Sequence, residues 1–67
     1  MFDVGDRIEL ISMPDDPSPL PSGSRGTITG KNPVNMGPGQ SFTQYGVKWD
    51  NGRTLMLCVP PDVARRI

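Results

Sequence analysis

Apolar and polar residues alternate in several short runs along this chain, and each run predicts a half-buried strand. In Arg7-Ile8-Glu9-Leu10-Ile11, Ile8 and Leu10 share one face while Arg7, Glu9 and Ile11 take the other. Thr27-Ile28-Thr29 alternates around an inward Ile28. From residue 42 to residue 49, Tyr45, Val47 and Trp49 fall in one phase and Lys48 in the other; after the turn, Leu55 and Leu57 lie opposite Thr54 and Met56. Between these last two runs stands Asp50-Asn51-Gly52-Arg53. Asn-Gly is the strongest short-range hairpin signal, and it predicts a type I′ turn with positive φ at both central residues. The fourth strand is then expected to continue through Val59, where Pro60-Pro61 ends it.

The intervening segments are rich in turn formers. Val4-Gly5-Asp6 and Gly23-Ser24-Arg25-Gly26 read as turns. Residues 13–24 hold Pro14, Pro17, Pro19 and Pro21, which remove ladder donors, so the stretch is expected to be one long, stiff loop. Residues 31–41 carry Pro33, Gly37, Pro38 and Gly39 and read as a second loop with a flexible tip. The six residues 62–67 are too few for a helix and suggest one tight turn plus a short closing strand. The expected fold is a single all-β domain over residues 1–67, a small SH3-like barrel of four to five short strands with two long Pro/Gly-rich loops.

The residues that carry this pattern also carry a resemblance. Val4-Gly5-Asp6-Arg7-Ile8-Glu9-Leu10, Gly23-Ser24-Arg25-Gly26-Thr27-Ile28 and Val47-Lys48-Trp49-Asp50-Asn51-Gly52-Arg53, with the loop Ser12-Met13-Pro14-Asp15-Asp16-Pro17, resemble a family of uncharacterised short proteins of phages and bacteria. The wider resemblance is to KOW-type and other small SH3-like barrels. It implies a shape, and a shape hosts many functions.

Composition narrows the function. A chain of 67 residues buries only roughly 60% of the surface that it exposes when unfolded. Small domains compensate with disulfides, metals or self-association. Cys58 is the single cysteine and histidine is absent, so neither a disulfide nor a zinc cluster is expected, and self-association is the remaining route. The seven basic residues balance seven acidic ones, which disfavours general coating of nucleic acid. The longest apolar runs span only a few residues, and the start Met1-Phe2-Asp3 has no basic or apolar leader, so no membrane is expected and the expected compartment is the cytoplasm.

No constellation names a reaction. Without histidine there is no ready base for a nucleophile, and Cys58 has no basic neighbour in sequence, so it reads as a packed side chain. Asp15 and Asp16 in a proline-rich loop read as a solvated turn. An enzyme is not expected, nor is a cofactor. Trp49 is the largest apolar residue and in phase with Val47, which favours a place in the core over the alternative of a ligand platform on a binding surface.

Three readings of function follow from different classes. The first is a non-enzymatic, oligomeric barrel that captures and sequesters a small anionic, nucleotide-like molecule, as the phage-type resemblance implies. Arg25, Lys48 and Arg53 would supply charge, while Phe42 or Tyr45 stacks on a flat ring. The second is a KOW-like module docking on RNA or on a nucleic-acid-processing protein. The third is a structural or adaptor protein of a phage complex. A peptide groove of the SH3 kind is weakened by the small number of aromatic residues.

Overall fold

The computed structural model describes residues 2–14 and 16–67. Five strands form one antiparallel sheet: β1 (Arg7–Ser12), β2 (Arg25–Asn35), β3 (Ser41–Trp49), β4 (Leu57–Val59) and β5 (Val63–Arg66). Their spatial order is β4-β3-β2-β1-β5. The protein is therefore all-β, and the two end strands β4 and β5 arrive from one short connection, the arrangement of a small SH3-like barrel. Asp62 closes that connection by donating its N–H to the Cys58 carbonyl and accepting the Cys58 N–H on Oδ2, both at 2.9 Å.

The alternation works as the sequence predicts. Ile8 and Leu10 of β1, Ile28 of β2, and Tyr45, Val47 and Trp49 of β3 point inward with Leu57 of β4, and all seven are buried. Leu55 packs against this core, whereas Met56 is exposed. Phe2, Met13 and Leu20 complete the interior. The proline-rich stretch after β1 is thus more than a stiff cover, because it sends two apolar side chains into the barrel. Its return is pinned to β1, where Leu10 donates to the Ser24 carbonyl at 2.7 Å and Gly23 donates to the Leu10 carbonyl at 2.8 Å. The closing strand is present, and β5 pairs with β1.

β2 and β3 approach too closely at one point for any side chain but hydrogen. A Cβ on Gly26 would stand 2.8 Å from Val47 Cγ1 and 2.9 Å from the Lys48 carbonyl oxygen. Gly26 lies opposite Trp49 in the ladder, so the glycine lets the sheet close over the indole.

Two expectations are corrected. Residues 31–41 are not a long loop: β2 continues to Asn35, and only residues 36–40 turn, closed by Met36 N–H to the Gln40 carbonyl at 2.8 Å. Pro33 is accommodated because β2 beyond Gly30 pairs with β3 alone, and a sheet edge tolerates a residue without an N–H. The β3–β4 connection is not a two-residue type I′ turn. Among the described residues only glycines have positive φ, so Gly52 (φ +85°) adopts it and Asn51 does not. Gly52 donates to the Trp49 carbonyl at 3.0 Å, and the ladder with β4 resumes only at Leu57. Asn51 Oδ1 accepts the Arg53 N–H at 3.1 Å, while Trp49 Nε1 donates to the Leu55 carbonyl at 2.7 Å. These local partners hold residues 53–55 in place of ladder bonds.

Candidate functional site

The strand ends farthest from the Trp49 turn build a groove. Val34 of β2 lies directly opposite Phe42 of β3, and Thr43 lies opposite Val59 of β4. Pro33, Asn35, Ser41 and Pro60 complete the walls of a groove of about 510 Å³. Its lining holds no charged side chain, and its polar groups are those of Asn35, Ser41 and Thr43. Phe42 is half-buried, which leaves part of its ring facing the groove. A smaller depression of about 190 Å³ lies among Asp16, Met56, Cys58, Pro61 and Asp62. Burial, followed by the nearby Asp62 charge, pushes the Cys58 thiol above its ordinary value, away from the thiolate form.

A second feature lies on the outer face of the sheet. Across β5, β1 and β2 the register aligns Arg65, Glu9 and Arg25, and across β1, β2 and β3 it aligns Arg7, Thr27 and Lys48. Glu9 Oε1 accepts from Arg65 Nη2 at 2.7 Å and Glu9 Oε2 from Arg25 Nε at 3.2 Å. Arg7 grips Asp50 as a two-pronged fork at 2.8 and 2.6 Å. These bonds favour the charged carboxylates: Arg65 first and Arg25 second hold Glu9 below its ordinary range, and Arg7 holds Asp50 below its own.

The residues that sequence reasoning grouped as one site are distributed over four places. Arg25 and Lys48 stand on the outer face. Phe42 sits in the groove, six residues along β3 from Lys48, a separation of roughly 20 Å at the rise of an extended strand. Arg53 reaches across to the proline-rich stretch, where Nη2 donates to the Ser18 carbonyl at 3.0 Å. Tyr45 is in the core, 2% exposed, its ring tilted against Phe2 with centroids 5.4 Å apart and its hydroxyl accepting the Phe2 N–H. It is not available to stack on a ligand. The inward parity that Tyr45 shares with Val47 and Trp49 carries that signal in the sequence.

Val34, Pro33 and Pro60 are among the groove residues that the sequence did not point to as a site. Val34 was hidden inside a segment read as a loop. Of the acidic pair, Asp16 makes the expected turn by accepting the Ser18 N–H at 2.8 Å, and Asp15 lies outside the described residues. Among the described residues no group of three or more His, Cys, Asp or Glu side chains gathers to hold a metal ion. No helix among them is long and apolar enough to cross a membrane.

A family profile described as a domain of unknown function, DUF4314, matches residues 1–67, the whole of the sequence. The chain belongs to the DUF4314 family. No curated protein and no solved structure matches it. Within this DUF4314 domain, the uncharged groove and the two charged rows of the outer face are separate features, set toward opposite ends of the long β2–β3 hairpin.

Proposed function

We propose that this protein is a non-enzymatic docking module that takes an extended, uncharged segment of a partner polypeptide in the groove at Phe42. The observation that carries the reading is the composition of that groove: Phe42, Val34, Val59, Pro33 and Pro60 offer apolar contact, and no charge lies in the wall. An extended segment suits a trough between strand ends, since its own apolar side chains seat on the ring and the prolines while Asn35 and Ser41 meet backbone amides. The shortage of aromatic residues matters less than it does in the sequence, because valine and proline supply the walls. Selection from a displayed random peptide library tests this. Peptides enriched on the wild-type protein and lost on Phe42→Ala support the reading; enrichment unaffected by that change places binding elsewhere.

A second reading keeps the nucleotide-like ligand and the phage-type sequestering role. Within one chain the ring of Phe42 and the charges of Arg25 and Lys48 do not meet, so this reading requires a second copy to set the outer face of one chain beside the groove of another. The exposed Ile11, Met56 and Val63 favour such self-association, since exposed apolar groups commonly mark interfaces. Sedimentation equilibrium distinguishes the two readings. A monomer at micromolar concentration removes the second.

A further inference from the structure

The charge of this chain is balanced in total and uneven in space. On the outer face, four cations (Arg7, Arg25, Lys48 and Arg65) meet two carboxylates (Glu9 and Asp50), so the face carries an excess of two positive charges. With seven basic and seven acidic residues in all, the compensating negative excess lies elsewhere in the chain. Neutrality of the whole therefore conceals a locally basic surface.

The carboxylate in the middle of that surface organises it. The Glu9 side chain is 18% exposed, against 55% for Arg25 and 60% for Arg65. It lies beneath the two guanidinium groups and fixes both. A guanidinium has five N–H donors; Arg25 directs Nε to Glu9, and Arg65 directs Nε and Nη2 to it, which leaves further N–H groups facing solvent. Lys48 is exposed in the neighbouring row beside Thr27. Planar guanidinium groups held in this way suit phosphate oxygens.

The two charged rows lie on the open surface of a sheet, and both grooves lie away from them, so they do not enclose a small nucleotide. An extended polyanion laid across the strands meets several cations at once. We infer that this face is a contact surface for the backbone of single-stranded nucleic acid, engaged through phosphates and without reading bases, since none of the outward residues in the two aligned rows is aromatic. This surface is independent of the groove and of what the groove takes.

Fluorescence anisotropy of a labelled oligothymidylate at low salt tests the inference. Wild-type protein binds, and log Kd varies linearly with log salt with a slope of roughly 0.7 per phosphate engaged. Lys48→Glu and Arg25→Gln each weaken binding about tenfold or more and reduce the slope by at least the roughly 0.7 of one phosphate contact. Arg53→Gln, which changes a cation committed to the Ser18 carbonyl, keeps wild-type affinity. Thermal melting of each variant confirms that it is folded, and Lys48, exposed on the face, is the substitution least able to disturb folding. No binding by the wild type overturns the inference, as does equal loss in Arg53→Gln. Competition by inorganic pyrophosphate at equimolar phosphate, with the same dependence on Lys48, assigns the face to a small phosphate and also overturns it.

Discussion

The indole N–H of Trp49 donates to the carbonyl of Leu55 at 2.7 Å, across the loop that joins β3 to β4. Trp49 is 2% exposed and Leu55 half-buried, so the bond satisfies the indole N–H at the edge of the core. It ties the largest core side chain to the segment that leaves the ladder.

Two substitutions separate the ring from its bond. Trp49→Phe keeps an aromatic ring but removes the donor, and is expected to cost about 1 to 3 kcal/mol through the lost hydrogen bond and the smaller volume. Trp49→Ala is expected to cost about 3 to 5 kcal/mol. Urea unfolding measures both, and a Phe variant with the wild-type midpoint shows that the Leu55 bond contributes nothing.

Gly26 and Gly52 are required for different reasons, and substitutions tell them apart. Gly26→Ala drives a methyl into Val47 Cγ1 and the Lys48 carbonyl, and overpacking of this kind costs about 1 to 3 kcal/mol. At Gly52 a Cβ meets nothing within 4 Å, and the obstacle is the φ of +85° alone. Gly52→Asn is therefore tolerated better than Gly52→Val, because asparagine enters the left-handed region more readily than a β-branched residue. Equal melting temperatures for those two variants contradict the turn geometry.

The charged face gives the fold a defined acid sensitivity. Arg65 and Arg25 hold the folded-state pKa of Glu9 below its unfolded value, and Arg7 does the same for Asp50. A carboxylate depressed in the folded state contributes stability that is complete above its unfolded value, about 4, and is lost as pH falls through the folded one. Stability is expected to drop as pH is lowered below about 4, and Glu9→Gln is expected to drop less over the same interval. Urea midpoints at neutral and acid pH measure this. A Gln variant as acid-sensitive as the wild type contradicts the pairing.

Much of the fold is legible in the sequence because burial follows parity. Ile8 and Leu10, Tyr45 through Trp49, and Leu57 each take the face that their alternation dictates. The end of β2 is not legible, because Pro33 and the glycines beyond it are turn formers by local preference, and only pairing of Val34 with Phe42 overrides them. The turn after Trp49 departs from its local signal for a related reason. Asn-Gly signals a tight hairpin locally, while the indole bond to Leu55 and the Asn51 side-chain bond to Arg53 select a wider one. The candidate site is legible only in the outward parity of Arg25 and Lys48, since Arg53 lies in no strand. It was not legible as a place, since alternation gives the face a side chain takes and not its distance along the sheet, and Phe42 and Lys48 share a face at opposite ends of β3.

Phe42 is expected to matter for binding far more than for folding. It is half-buried on the outer side of β3, so Phe42→Ala should melt within a few degrees of the wild type while Val47→Ala, in the core, should cost about 2 kcal/mol or more. Differential scanning calorimetry of the pair checks this. A Phe42 variant as unstable as the Val47 variant makes the ring structural and removes it from the site.

The most direct test of the docking groove is a two-dimensional amide NMR titration of labelled protein with a peptide selected on it. The account predicts shift changes concentrated at Val34, Asn35, Phe42, Thr43 and Val59, with Arg25 and Lys48 unmoved, and their loss in Phe42→Asp. Shifts centred on the outer face, or a Phe42→Asp variant that binds the peptide as well as the wild type, would contradict it.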